Sequence, residues 1–381
     1  MGTGATRSKK PLLRTIHTWI GLIAGLLLST IALTGSVILF RAEFERAALP
    51  QPTSKTPWHR ARLDDAAREL VKLRPDARIR RVHLSSGADE PYVFQISGDD
   101  KPSERIVCDS STGQVLGVLR SNWVDWMVDL HRNLLTGKQG RKVVGAAGIA
   151  LFLLSGSGLL IWLRGARNWR TWITLRQGPA RRFNFELHRV TGLWAYAFLA
   201  LISFTGMERA FPDTFRQAVQ SVTGDSLRTP APKKIKAKST LPLEEYVRLG
   251  RAAMRDGVAI ELRLPESGKG AVDLHLYRAG DLAPAGNHVY LDPASGAVLQ
   301  IDRIVDRPVG ARFLAALAPI HYAQFGGLPL KAAWALFAFT PLVLFVTGLI
   351  VWWRPKPKAR QTISRESSYE ELALVNSSPQ A

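Results

Sequence analysis

The chain has 381 residues, a formal charge of +20 and a single cysteine. One cysteine excludes an internal disulfide and a C-x-x-C-H haem-attachment motif. The positive charge would suit nucleic acid, but it gathers in three short segments beside apolar blocks, which argues against that use and for membrane topology.

Residues 1–15 are a basic lead carrying Arg7, Lys9, Lys10 and Arg14. Residues 16–41 read as the first of four transmembrane helices, the others being 143–163, 188–211 and 331–353. Each is long enough for a hydrocarbon core that needs about 20 helical residues. The first is too long for the ~7–15-residue apolar region of a cleaved signal peptide, so it reads as a retained span. Arginines 164, 167, 170, 176, 181 and 182 fill the 164–187 loop, and Arg354, Lys356, Lys358 and Arg360 begin the 354–381 tail. All three basic segments fall on one side of a four-span chain. The positive-inside rule therefore places both termini and the 164–187 loop in the cytoplasm. The long segments 42–142 and 212–330 lie on the opposite side.

Each long segment reads as a small α+β unit. After a Pro-rich linker (Pro50, Pro52, Pro57), Leu63 to Leu73 has the spacing of an amphipathic helix. Alternating runs follow at 79–82, 92–96 and 105–108, then the turn Asp109-Ser110-Ser111-Thr112-Gly113 and a last strand at 114–116. The second unit enters through a Pro- and Lys-rich linker at 229–238. It repeats the order: a helix from Leu243 to Met254, strands near 260–263, 272–276 and 287–291, the turn Asp292-Pro293-Ala294-Ser295-Gly296, and a strand at 297–299. Residues 361–381 have the composition of a disordered tail.

Two offsets relate the halves. A shift of 171 positions carries His17, Gly21 and Phe40 onto His188, Gly192 and Phe211. A shift of 190 carries His131, Gly158, Trp162 and Arg164 onto His321, Gly348, Trp352 and Arg354. The expected fold is a membrane α-helical protein of two tandem parallel repeats, each with its own outer α+β unit. An approximate two-fold axis along the membrane normal would relate them.

Of eight histidines, four have a partner at the same place in the other repeat. Two-fold symmetry predicts that spans one and three pack across the axis. His17 then faces His188 near the cytoplasmic end, and His131 faces His321 near the outer end. Facing imidazoles can fill both axial positions of a haem iron. Gly21 and Gly192, one turn from His17 and His188, would leave a flat notch for a porphyrin. Small residues also allow close helix approach without any ligand, and a histidine near the end of a span can simply sit at the headgroups. His59, His83, His275 and His288 lack such partners and read as ordinary linker or strand residues.

Other chemistry is less well served. A structural zinc site wants four nitrogen or sulfur ligands, and one cysteine cannot help. No H-E-x-x-H, phosphate loop or Rossmann fingerprint is evident. Cys108 reads as a half-buried strand residue. The tryptophans at span ends form the usual aromatic belt. Trp123 and Trp126 precede His131 on an amphipathic helix, and Arg132 and Arg141 are candidates for meeting haem propionates.

These motifs resemble the PepSY-associated transmembrane family: four spans, two D-x-x-[ST]-G turns, H-x-x-x-G in spans one and three, and G-[IL]-[IL]-[IV]-W-x-R ending spans two and four. The similarity runs over about residues 12–355 and is greatest to the ferrisiderophore reductases of the ferrioxamine type. The resemblance implies a bacterial inner-membrane protein with two periplasmic PepSY-like units. It further implies b-type haem, here two groups, on His17, His188, His131 and His321. Electrons would pass to iron(III) held by a siderophore of the hydroxamate type, releasing iron(II). No nucleotide or flavin site is evident, so a separate cytoplasmic donor or a membrane quinol would supply them. Two alternatives stay open: a non-catalytic membrane-anchored module that grips a partner, and a haem electron carrier with another acceptor.

Overall fold

A computed structural model describes residues 12–49, 63–84, 90–97, 103–119, 122–165, 173–225, 227, 232, 240–265, 270–282 and 286–354. The linker, loop and tail readings at 50–62, 166–172, 233–239 and 361–381, with His59, lie outside the described residues. In chain order the elements are α1 (Leu12–Ile38), α2 (Arg41–Ala48), α3 (Leu63–Leu73), β1 (Arg78–His83), β2 (Tyr92–Ser97), β3 (Glu104–Cys108) and β4 (Val115–Leu119). Then come α4 (Trp123–Asn133), α5 (Gly137–Gly165), α6 (Ala180–Ala210), α7 (Pro212–Thr223) and α8 (Leu243–Ala253). The chain closes with β5 (Val258–Arg263), β6 (Val272–Tyr277), β7 (Asn287–Leu291), β8 (Val298–Asp302), α9 (Val309–His321), α10 (Gly327–Ala338) and α11 (Thr340–Trp353).

Four helices are long and apolar enough to cross a membrane: α1, α5, α6 and the broken helix α10–α11. This makes the chain a multi-pass membrane protein. The helices overrun the apolar blocks, because a helical hydrogen-bond ladder does not stop where the hydrocarbon does. The fourth breaks between Ala338 and Thr340, just before Pro341, whose ring lacks the N–H that a continuous helix would use.

The helices pack in a ring. α1 lies against α5 and α11, and α6 lies against the same two. Spans one and three therefore stand diagonally across the bundle, each packed mainly on spans two and four, whereas the sequence had suggested that they pack on each other across the axis. Close approach of α5 to α6 explains the arrangement. Gly145 of α5 sits against Phe211 and Ala210, and Gly148 sits against Met207. Side chains at those positions would hold the helices apart.

The two α+β units also differ from expectation in one respect. They share a single eight-stranded sheet, ordered β4-β3-β2-β1-β5-β6-β7-β8 and antiparallel throughout. The join is β1 with β5, where Arg81, Val82 and His83 oppose Arg263, Leu262 and Glu261. Each four-stranded meander would otherwise expose one such edge, and pairing the edges removes both. One apolar core follows, with Leu70, Phe94, Leu262, Leu274 and Val289 wholly buried beneath α3 and α8. The two helices cap each other. The Asp64 carboxylate accepts from the Leu243 and Glu244 amides (2.6 and 3.2 Å), and Glu244 accepts from the Leu63 amide (3.2 Å).

The two acidic turns form as their spacing predicts. Asp109 accepts from the amides of Ser111 and Thr112, and Asp292 from those of Ala294 and Ser295. Gly113 and Gly296 close them at φ +76° and +71°, a region that favours glycine.

Cys108 is more buried than expected. It is fully enclosed in the core, and burial pushes its thiol up to about 12. A maleimide at neutral pH should leave it unlabelled in the folded protein and label it stoichiometrically in denaturant. Prompt labelling without denaturant would contradict this packing.

The opposite face of the sheet turns toward the helices. Arg105 of β3 donates to Glu45 of α2 (3.0 Å) and Asp125 of α4 (3.3 Å), while Arg41 bonds the same two carboxylates at 2.9 and 2.8 Å. This closed set of four charges fixes α4, and so His131, relative to α1.

Candidate functional site

The diagonal placement of α1 and α6 does not separate their histidines. The His17 and His188 ring centres are 6.3 Å apart. His131, in the last turn of α4, and His321, which ends α9, form a second pair with ring centres also 6.3 Å apart. Ile31 of α1, which contacts His131, lies about 21 Å along the helix axis from His17 at ~1.5 Å per residue. The pairs therefore occupy two levels of the bundle, one at the sheet side and one at the far side.

All four rings are held by one nitrogen. Nδ1 of His131 bonds the Ile31 carbonyl at 2.8 Å, and Nδ1 of His188 bonds the Leu344 carbonyl at 3.0 Å. A carbonyl only accepts, so Nδ1 carries the proton in both. Nδ1 of His17 bonds Ser157 Oγ at 2.8 Å, and Nδ1 of His321 bonds Thr205 Oγ1 at 2.9 Å. Each of those hydroxyls already donates to a carbonyl of its own helix, Ser157 to Leu154 and Thr205 to Leu201, and so accepts from the histidine. Protonated Nδ1 leaves Nε2 with its lone pair in every case. Among the described residues, Nε2 of none of the four makes a hydrogen bond.

Each ring also lies along a glycine on a neighbouring helix. A Cβ on Gly158 would stand 3.4 Å from His17 Cε1, on Gly348 3.3 Å from His188, on Gly206 3.3 Å from His321, and on Gly35 2.9 Å from His131. These four glycines, rather than Gly21 and Gly192, form the close backing of the rings. A Cβ at Gly21 or Gly192 would meet only Leu154 or Leu344, at 3.8 and 3.6 Å. Sequence reasoning noted Gly158 and Gly348 as repeat partners, without assigning them to the histidines.

The flanking candidates fare differently. Arg141 donates to the Arg209 carbonyl at the end of α6 (2.6 Å), which ties α5 to α6. Arg132 is exposed. Trp123 and Trp126 are about half exposed, and Trp123 stacks edge-on against Phe44.

A second cluster escaped the sequence reading. Asp273 and His275, alternate residues of β6, share a sheet face with His288 of β7, which lies directly opposite His275. Asp273 bonds His275 Nε2 at 2.9 Å and His288 Nδ1 at 3.0 Å. Burial would raise the Asp273 carboxyl, but the two imidazole hydrogen bonds outweigh it and hold it well below the ordinary range. The D-x-H pattern on one strand was the available signal.

Residues 14–354 match the family described as the PepSY-associated TM region, and the chain belongs to that family. It is 27% identical over 261 residues to an uncharacterized protein of Pseudomonas aeruginosa. That match covers 62% of this chain and spans 64% of the relative's length.

Proposed function

We propose that this member of the PepSY-associated family is a transmembrane haem b reductase that delivers electrons to a ferric siderophore and releases iron as iron(II). The observation that carries the reading is the shared geometry of two facing histidine pairs, each ring with Nδ1 hydrogen-bonded and Nε2 left without a partner among the described residues. That is the state an iron-ligating imidazole requires, and the bond at the other nitrogen is what fixes it.

The spacing supports the same reading. Two imidazoles on opposite sides of one iron need about 2 Å per iron–nitrogen bond and roughly 1.1 Å from nitrogen to ring centre. The resulting ~6.2 Å agrees with both pairs, whose ring centres are 6.3 Å apart. His17 and His188 would hold one haem and His131 and His321 the other. Gly21 and Gly192 would leave the porphyrin a flat approach beside the first pair. Haem, when bound, supplies one-electron redox chemistry at a potential set largely by its axial ligands. The chain's own residues orient the imidazoles through Ser157, Thr205 and two backbone carbonyls. They also enclose both pairs among apolar helices.

Charge supports the sidedness. Arg176, Arg181, Arg182 and Arg189 lie at the far end from the sheet, as expected if that end is cytoplasmic in a bacterial inner membrane and the sheet is periplasmic. The matching contacts at both offsets, such as His17 with Gly158 and His188 with Gly348, favour two parallel repeats. The acceptor is proposed on chemistry: hydroxamate oxygens are hard donors that hold iron(III) far better than iron(II). One electron per iron therefore loosens the chelate, whose freed oxygens take protons from water. The donor would be a cytoplasmic protein or a quinol.

The test is a pyridine haemochrome assay on the purified full-length chain, followed by a quinol analogue and a ferric hydroxamate with an iron(II) chelator as trap. Two haems per chain and iron(II) release are expected. A colourless protein from haem-replete cells, with Cys108 still protected, would overturn the reading. Two haems without iron(II) release would convert it to an electron carrier for another acceptor.

A further inference from the structure

We infer that Asp273, His275 and His288, with Glu261 beside them, form a binding site for a divalent first-row transition-metal ion. The inference is independent of the haem reading and concerns the sheet.

Strand pairing builds the site. Val272, Leu274 and Leu276 of β6 and Val289 and Leu291 of β7 point into the apolar core. Alternation then sends Asp273, His275 and His288 to the other face, the one that Arg105 turns toward α2 and α4. His275 lies opposite both His288 on β7 and Glu261 on β5, so four potential ligands converge from three adjacent strands. One donor atom each from Asp273, His275 and His288 lies within 4.8 Å of the others. Metal–ligand bonds of about 2.0–2.2 Å give donor separations of roughly 3–4.4 Å, so small side-chain adjustments complete a site. Rigid strands rather than a loop carry the donors.

Hydrogen bonding within the cluster leaves one group unresolved. If both imidazoles donate to Asp273, His275 Nδ1 is left as a lone pair. It has no hydrogen bond, and the side chain is only 3% exposed. It faces Glu261 Oε1 at 3.8 Å. Glu261 Oε1 is itself satisfied by Arg263, so the orphaned group is the buried His275 Nδ1, which is unfavourable unless a proton or a cation meets it. Glu261 is held in position by Arg263 at 2.6 Å, and His288 is stacked parallel on Tyr290. The donors are therefore oriented before any ion arrives. Two imidazoles with carboxylates are borderline ligands that suit zinc, iron(II), cobalt(II) or nickel(II) better than magnesium or calcium.

The rival account is a protonated His275 bridging Asp273 and Glu261 with no metal role. Zinc uptake separates the two. Full-length protein, tag removed and treated with chelator, would be titrated with zinc by calorimetry and its metal content read after desalting. Stoichiometric zinc is expected in the wild type and none in the Asp273→Asn/His288→Ala variant. Glu261→Gln should weaken binding by about 10–100-fold. Protection of Cys108 from maleimide, in the same core, verifies that each variant is folded. Wild type and the double variant retaining equal zinc, or a folded wild type retaining none, would overturn the site. Zinc content does not depend on haem, so its failure leaves the reductase reading intact, and the reverse holds too.

Discussion

Replacing His17 with alanine is expected to remove roughly half of the haem bound by the purified chain, since one of two bis-imidazole sites loses a ligand. His188→Ala should remove the same half. The double variant should then lose no more than either single change, because both residues serve one iron and their effects cannot add. The same holds for His131 and His321. Combining across pairs, as in His17→Ala/His131→Ala, should leave almost none. This pattern depends on the pairing seen in the rings: 6.3 Å within each pair, against about 21 Å along α1 between the two levels. Pairing within one repeat would give the opposite result, with His17→Ala/His131→Ala losing only half. Quinol-driven iron(II) release should fall to background in every one of these variants. Pyridine haemochrome per protein, with Cys108 protection as the check on folding, reads the first set. Chelator-trapped iron(II) reads the second. Full haem in all four single variants would exclude axial ligation by these residues.

Much of this site was legible because matching sequence positions at two offsets stand in for other information. One histidine at the end of an apolar helix means little. A second at a matching place in the sequence raises the question of what faces what, and the ring centres of both pairs are 6.3 Å apart. The acidic turns were equally legible, because Asp109 and Asp292 act on amides two and three residues away, within reach of local chemistry. Long-range packing was not. The diagonal placement of α1 and α6 depends on Gly145 and Gly148 admitting α6 against α5, and nothing in the spacing of α1 reports that. The fusion of two meanders into one sheet depends on β1 meeting β5 across a separation of more than a hundred and fifty residues. The Asp273 cluster was missed for a similar reason. Asp273 and His275 share a face by alternation, but His288 joins them only through the β6–β7 register. Neither His275 nor His288 has a histidine at the matching place in the first half, so sequence symmetry does not mark them.

The glycines behind the rings carry a sharper consequence than the histidines, because they are not equivalent. Gly35→Ala is expected to cost most of the haem at the sheet-side pair, while Gly158→Ala should retain both haems. A methyl group on Gly35 would stand 2.9 Å from His131 Cε1 and 3.2 Å from Nδ1, closer than side-chain contacts tolerate. The ring cannot retreat, because its Nδ1 is bonded at 2.8 Å to the carbonyl of Ile31, one turn away on the same helix. Turning the ring to relieve the contact breaks that bond, worth about 0.5–1.5 kcal/mol net. It also changes how the ring faces His321, whose centre lies 6.3 Å away. At Gly158 the added methyl meets His17 Cε1 at 3.4 Å, an ordinary contact that needs no rotation. His17 is held by a serine hydroxyl, which can follow a small shift by rotating about its own bond. Haem content and the low-temperature α-band of the two alanine variants would show the difference. Equal retention in both would mean that His131 does not depend on the Gly35 contact for its orientation.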